Sequence, residues 1–487
     1  MDEKILEAQA GFNRIVDFVT GEAVGQEIAV VELRIFRDLL GLGRVLLELF
    51  LKTVGTGHVG DTLTRSDGIV MRYLRDSPKQ YLSVFGKIVI NRAYYLSTEG
   101  KGACPLDAQL NLPKRLYSYL LQKWMTLCAV RVTYKEASCW MGEFLGLKVA
   151  HRPIERVAQD LTPAATEFTD LVGTPDASEE GPILIESLDR KGIPMCKPDP
   201  NARKSPDKPG KKKQALVTAT ASVDFRESRP VEELADCIMG DGKKKSGHKR
   251  TRRNKPHHKL IIASLTDDKD AMMEKAQRVA MPRIHDKTQY KAVVGDGEKK
   301  IWSYADELFP GWIQILDIIH AKDKLLIAAH LHYPKGSDDA HDYVKERLLA
   351  LLNGEVDSVI EDFAITLDDG TLCKSKVKIL RSKVLGYFET NRGRMRYDEF
   401  LKLGLPIGSG LIEGTCKNLI NDRMERSGMR WSPEGAEAIL KLRALHLTDH
   451  WSDFWEFSIA REKRTLYGSY PLSQQETTFQ MDILRVA

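Results

Sequence analysis

The order of β-rich and helical patterns between residues 183 and 296 narrows the possible folds more than any other feature of the chain. Ile183-Leu-Ile-Glu-Ser-Leu-Asp189 is a short apolar run closed by an aspartate, and Arg190-Lys-Gly-Ile-Pro-Met195 after it reads as a hairpin into a second strand. A third β-rich run lies at Ala215-Leu-Val-Thr-Ala-Thr-Ala-Ser-Val-Asp-Phe225. Lys269 to Met281 has the apolar spacing of an amphipathic helix. Tyr290-Lys-Ala-Val-Val-Gly-Asp296-Gly is then another strand that ends in an aspartate, with glycine on both sides.

Strand, strand, strand, helix, strand is the order of the ribonuclease H-like fold, whose first and fourth strands are neighbours. Adjacent strands are about 4.8 Å apart, so Asp189 and Asp296, at strand ends, are expected to share a metal. Further on, Pro406-Ile-Gly-Ser-Gly-Leu-Ile-Glu413-Gly-Thr-Cys-Lys417 is a glycine-rich turn running into a helix. Its glycines admit close approach to the main chain, and Ser409 is placed to cap the helix and fix where Glu413 points. Two strand-end aspartates and a helical glutamate supply the oxygen ligands that hard divalent cations prefer. Two such cations roughly 4 Å apart activate an attacking oxygen and stabilise a leaving one. Each acid alone has a plainer explanation: an aspartate after a strand is a turn former, and Glu413 pairs with Lys417 one turn on. The three in this order point to phosphoryl transfer.

Several longer stretches resemble one family. Asp296-Gly-Glu-Lys-Lys-Ile-Trp302, Glu307-Leu-Phe-Pro310, Ile315-Leu-Asp317-Ile-Ile-His320-Ala and Ile407-Gly-Ser-Gly-Leu-Ile-Glu413-Gly resemble the DDE transposases of bacterial insertion sequences, closest to the Kra group and related to Mutator-like families. Asn421-Asp-Arg-Met-Glu-Arg-Ser-Gly-Met-Arg-Trp431 and Gly435-Ala-Glu-Ala-Ile-Leu-Lys-Leu-Arg443 extend the match, which covers residues 181 to about 457 and, more loosely, Phe85 to Leu161. The resemblance implies an enzyme that cuts element ends by metal-dependent hydrolysis and joins the freed 3′-hydroxyl to target DNA. It implies catalytic and metal-binding roles for Asp189, Asp296 and Glu413, with Mg²⁺ (Mn²⁺ substituting), no organic cofactor, and a homo-oligomer acting on double-stranded DNA. Asp317 with His320 resembles the Cys/Asp-x-x-His element that follows the second catalytic Asp in related families, so the pair is auxiliary and the second metal position goes to Asp296. Two other readings keep the fold: a catalytically idle or domesticated DNA-binding protein, and a structure-specific nuclease that cuts without joining.

Composition agrees with a DNA enzyme. The chain has 487 residues, 42% hydrophobic and 29% charged, and a net charge of only +5, so basic character is local. Residues 243–259 hold nine Lys or Arg and no acid. That run, with Lys204 to Lys213, reads as loops against phosphate, with Lys249, Arg250, Arg252 and Arg253 at its centre. Tyr134 to Ala158 has the form helix, glycine turn, helix, with Arg152 and Arg156 one turn apart on the second helix, as in helix-turn-helix readers. Arg423, Arg426 and Arg430 recur at helical spacing as a third candidate DNA contact, and Trp431 beside them is either a base-stacking group or a packing anchor.

The seven cysteines include no C-x-x-C pair and are expected to be thiols; Cys104, before Pro105-Leu-Asp107, stands alone where the family often has a cysteine knuckle, which puts zinc there in doubt. No secretory signal opens the chain, and Leu33 to Val54, its most apolar stretch, carries Arg34, Arg37, Asp38, Arg44, Glu48 and Lys52, which argues against a membrane span. A cytoplasmic, nucleoid-associated protein is therefore expected. The expected organisation is a multidomain α/β chain: a helical region at 1–60, a mixed β and helix-turn-helix-like DNA-binding region at 61–170, and a linker at 171–182. A ribonuclease H-like core follows at 183–323 and 403–460, interrupted by an all-helical insertion at 324–402 and followed by a tail at 461–487.

Overall fold

The computed structural model describes residues 2–196, 212–226, 229–240, 255–408, 413–448 and 450–468, without the side chains of Glu413 and Ser427. It is a mixed α/β protein with two sheets, divided into two compact units. No described helix is long and apolar enough to cross a membrane.

The first unit opens with two helices, α1 (Asp2–Asp17) and α2 (Ile28–Val54). They run antiparallel: Lys4 pairs with Glu48 at 2.6 Å near one end, and Arg34 lies 5.1 Å over the Phe18 ring near the other. An antiparallel sheet of β1 (Thr62–Thr64), β2 (Val70–Ser83), β3 (Gly86–Ser97) and β4 (Gly102–Ala103) follows in that order. Next come α3 (Pro105–Gln109), α4 (Tyr119–Ala129), α5 (Tyr134–Leu145) and α6 (His151–Leu171). Thr133 and Glu136 form a reciprocal capping box at the start of α5, and Gly146 ends it with φ +66, a left-handed conformation that favours glycine.

In the second unit, β5 (Ile183–Pro194), β6 (Lys212–Val223), β7 (His257–Ser264), β8 (Tyr290–Gly295) and β9 (Ile313–Leu316) form one sheet ordered β7-β6-β5-β8-β9. β5, β6 and β7 are antiparallel, while β8 and β9 run parallel to β5. Two helices, α7 (Val231–Met239) and α8 (Lys269–Ala280), lie before and after β7, and α9 (Lys299–Leu308) connects β8 to β9. A helical stretch then runs through α10 (Ile318–His332), α11 (Asp338–Leu352), α12 (Val356–Asp368), α13 (Lys374–Ile379), α14 (Gly386–Asn391) and α15 (Tyr397–Lys402). One apolar core joins these helices to the sheet, from Ile185 and Val293 through Leu325 to Phe363 and Phe388. The unit closes with α16 (Glu413–Cys416), α17 (Asp422–Met424) and α18 (Pro433–His446).

Three details differ from the sequence expectation. Arg190 to Met195 is no hairpin: β5 continues unbroken to Pro194, pairing residue for residue with β6, so Asp189 sits inside a long strand. The second strand is therefore β6, and the third is β7, whose first residues, His257, His258 and Lys259, belong to the sheet and not to the end of a basic loop. Finally α19 (Trp451–Tyr467) belongs to the first unit, where Phe168 packs its ring 5.9 Å from Phe454 and 5.5 Å from Phe457.

Candidate active site

Strand register builds the site. Leu188 lies opposite Gly295 across the parallel β5–β8 pair, and Gly295 lies opposite Leu316 across β8–β9. The next residue on each strand is an aspartate, so Asp189, Asp296 and Asp317 follow at one level on three successive parallel strands. With strands about 4.8 Å apart, Asp296 is one strand from Asp189 and Asp317 is two. Proximity to Asp189 thus favours Asp296.

The three carboxylates have different surroundings. Asp189 is half-buried; one oxygen accepts the Arg190 N–H at 2.6 Å, and the Cys416 thiol is also hydrogen-bonded to it. Burial pushes its carboxyl above the usual range and the Asp296 charge adds to this, against the pull of Cys416, the Arg190 amide and His320. Asp296 is also half-buried; its Oδ1 accepts the Glu298 N–H at 2.9 Å, and its carbonyl accepts the Tyr387 hydroxyl at 2.8 Å. Burial and the charges of Asp296 and Asp317 push the Tyr387 phenol far up, so it stays a neutral donor. Asp317 is fully buried and serves as the N-cap of α10, accepting the Ile319 N–H at 2.8 Å. Its backbone N–H donates to the Gly295 carbonyl at 3.0 Å. This capping role supplies a structural reason for an aspartate at 317. His320, one turn into α10, is half-buried and near enough to Asp189 for its charge to be felt.

The helix that begins at Glu413 lies against β5. Cys416, one turn after Glu413, reaches Asp189, while Thr415 accepts a hydrogen bond from the Lys259 ammonium. Burial holds the Lys259 ammonium down to about 8 and pushes the Cys416 thiol up, with Asp189 adding to the latter. Upstream, the Ile407 carbonyl accepts the Ile318 N–H at 3.0 Å, and a Cβ on Gly408 would stand 3.6 Å from Asp317 Oδ1. Both ends of the glycine-rich turn are thereby tied to the aspartate row, although Ser409 to Ile412 and the Glu413 side chain lie outside the described residues. Among the described residues, no three His, Cys, Asp or Glu side chains converge closely enough to hold a metal ion. The donor set nevertheless fits a hard cation: two half-buried carboxylates on adjacent strands repel each other, and the helix bearing a third is docked beside them.

The other expected contacts divide. Arg152 and Arg156 are exposed on α6 after the Gly146 turn. Arg426 and Arg430 are exposed, but residues 421–430 do not form the single helix that their spacing suggested. Arg423 is 1% exposed, its guanidinium 4.9 Å over the Trp431 ring and its Nη1 3.3 Å from Met429 Sδ. It is withdrawn from any surface that DNA would touch. Trp431 is a packing anchor, buried and donating Nε1–H to the Met424 carbonyl at 2.9 Å. Lys249, Arg250, Arg252 and Arg253 lie outside the described residues. The Cys416 and Lys259 contacts were missed in the sequence; the apolar run Leu260-Ile-Ile-Ala263 behind Lys259 was the available signal for its strand.

No family model and no curated protein matches the chain. Among solved structures it is similar to the Drosophila P element transposase strand transfer complex, at 9% identity over 75% of this chain and 86% of that one, with a TM-score of 0.25. A likeness that low carries no argument about fold or chemistry.

Proposed function

We propose that the second unit is the ribonuclease H-like core of a bacterial insertion-sequence DDE transposase, which cuts element ends and joins the 3′-hydroxyl to target DNA. The observation that carries this reading is the placement of Asp189 and Asp296 at one level on neighbouring parallel strands, with the Glu413 helix docked on Asp189 through Cys416. Asp189, Asp296 and Glu413 would hold Mg²⁺ or Mn²⁺, which would supply an activated oxygen nucleophile and stabilise the leaving oxygen. The protein's own contribution is positioning. Backbone N–H groups of Arg190 and Glu298 fix one oxygen of each aspartate, Tyr387 holds the Asp296 main chain, and buried Asp317 sets the start of α10, the helix that brings His320 within electrostatic reach of Asp189. Arg152 and Arg156, the basic run around Arg250, and exposed Arg426 and Arg430 would carry double-stranded DNA through phosphate contacts.

The test is substitution of each acid. Asp189→Asn, Asp296→Asn and Glu413→Gln should each abolish Mn²⁺-supported cleavage of labelled element ends while leaving duplex binding nearly intact. Cleavage retained in Glu413→Gln sinks the triad, and cleavage lost in Asp317→Asn but kept in Asp296→Asn moves the second position to Asp317. A strand-transfer product separates a transposase from a nuclease.

A further inference from the structure

The sheet has a step at the candidate site. β8 stops at Gly295, opposite Leu188, whereas β5 runs on from Asp189 to Pro194 with β6 alone beside it. Beyond Asp189 one edge of β5 therefore has no strand neighbour, and crevices outside the carboxyl ends of strands are where α/β sheets take their ligands. Strand alternation puts Lys191 on the same face as Asp189, its Cα roughly 7 Å further on. The charge of Lys191 is felt at Cys416, the thiol that reaches Asp189, which places the ammonium near the Glu413 helix.

Of the two cations that follow Asp189, one is neutralised and one is not. Arg190, on the opposite face, forms an ion pair with Glu298. Lys191 is half-buried and has no carboxylate or hydrogen-bond partner among the described residues. The same contrast recurs on α10. Lys322 donates to the Ile238 carbonyl at 3.2 Å, while half-buried Lys324, one turn after His320, pairs with no carboxylate among the described residues. Its ammonium lies 4.5 Å over the ring of Tyr387, the residue whose hydroxyl holds the Asp296 carbonyl. Lys191 thus stands on the Asp189 side of the aspartate pair and Lys324 on the Asp296 side. Packing of the aliphatic stems accounts for the half-burial of both lysines, but not for two unpaired charges set around two carboxylates. A charge partly withdrawn from water is unfavourable until a counter-ion arrives.

We propose that Lys191 and Lys324 hold the phosphates on either side of the scissile one, so that the strand to be cut is drawn across the step from β5 to α10. The inference rests on the transposase reading of the site and adds to it the residues that decide which bond lies over the carboxylates. A lysine ammonium is a compact point charge with three donors, suited to a phosphate oxygen. Neither lysine touches the reacting atoms; each fixes the substrate beside them.

The experiment is steady-state cleavage of labelled element ends by the full chain with Mn²⁺, for the wild type, Lys191→Met, Lys324→Met and the two Lys→Arg variants. The DNA carries a single uncharged methylphosphonate, moved one position at a time past the cut. Methionine keeps the apolar stem and removes the charge, so a packing role alone leaves the rate unchanged. Each Met variant should lose about tenfold or more in kcat/KM, the scale of one hydrogen bond to a charged group, and arginine should restore most of it. In the wild type a methylphosphonate at either flanking phosphate should cost a similar factor. In Lys191→Met that penalty should vanish at one flank, and in Lys324→Met at the other. Wild-type kcat/KM in either Met variant overturns the proposal, as do losses that add to the penalty at every position. Should a variant not fold by circular dichroism, the wild-type scan decides alone, and no penalty at the flanking phosphates refutes the clamp. Cleavage by the wild type leaves the transposase reading standing in all of these cases, whereas a wild type that cleaves no end sinks both.

Discussion

Glu186 offers the sharpest test of the sheet itself. It lies three residues before Asp189 on β5, so strand alternation turns it to the opposite face, away from the candidate active site. It is fully buried, and its Oε2 accepts the Thr220 hydroxyl at 2.6 Å from directly across the β5–β6 ladder, while Oε1 has no partner. The nearest cation, Arg283, is committed to Glu180 through bonds of 2.6 and 2.8 Å. Burial therefore dominates and raises the Glu186 carboxyl from 4.5 to about 8. Between those two values the folded protein keeps a proton that the unfolded chain has released, so stability falls as pH rises, by about 1.4 kcal/mol per unit from this group. At pH near 7.5 the accumulated cost is about 4 kcal/mol, a large share of a domain's stability. Glu186→Gln removes the proton uptake and retains an acceptor for Thr220. Its stability relative to wild type, measured by urea unfolding at pH 5, 6, 7 and 8, should climb at nearly the full slope across that range, whatever constant offset the new amide introduces. A flat difference would show that Glu186 is ionised in the native protein, and would refute the sealed face of the sheet.

Two further outcomes follow from residues nearer the chemistry. Gly297 has φ +83, and a Cβ there would lie 2.4 Å from the Tyr387 hydroxyl that holds the Asp296 carbonyl, so Gly297→Ala should lower cleavage sharply with little change in DNA affinity; unchanged cleavage would mean that the Tyr387 contact does not position Asp296. Replacing Arg250, Arg252 and Arg253 by Ala should weaken binding to all duplexes alike and flatten the plot of log affinity against log salt by about 2.7, at roughly 0.9 per lost phosphate contact, and an unchanged slope would remove that segment from the DNA interface.

Much of the second unit could be read from its residues because local patterns and tertiary pairing agree there. Tyr290 to Gly295 is apolar, short and bounded by Asp296 and Gly297, and it forms a strand that stops where the pattern stops. Asp189 was harder. Gly192 and Pro194 are turn residues by local preference, yet β6 offers an unbroken partner out to Lys212, and Pro194 is tolerated as the last residue of the ladder. β7 was hidden because its first three residues continue a run of cations, and local charge says nothing about a strand that an adjacent edge will recruit. Arg423 shows the same limit: its period matched a solvated stripe, but the aromatic face that buries it comes from Trp431, eight residues on. Buried Glu186 likewise has no local signature, since burial is decided by what other segments bring.

The return of the chain to its first unit sets an order in time. Phe168 is made early, but its partners Phe454 and Phe457 belong to α19, beyond the entire second unit. At roughly 5–20 residues per second of synthesis, the 283 residues from Phe168 to Trp451 delay α19 by about 15–60 s. The second unit can thus complete its sheet first, while the first unit waits on the ribosome with an unfinished aromatic cluster. A nascent chain arrested before Trp451 should hold a folded sheet and an N-terminal unit that chaperones still recognise.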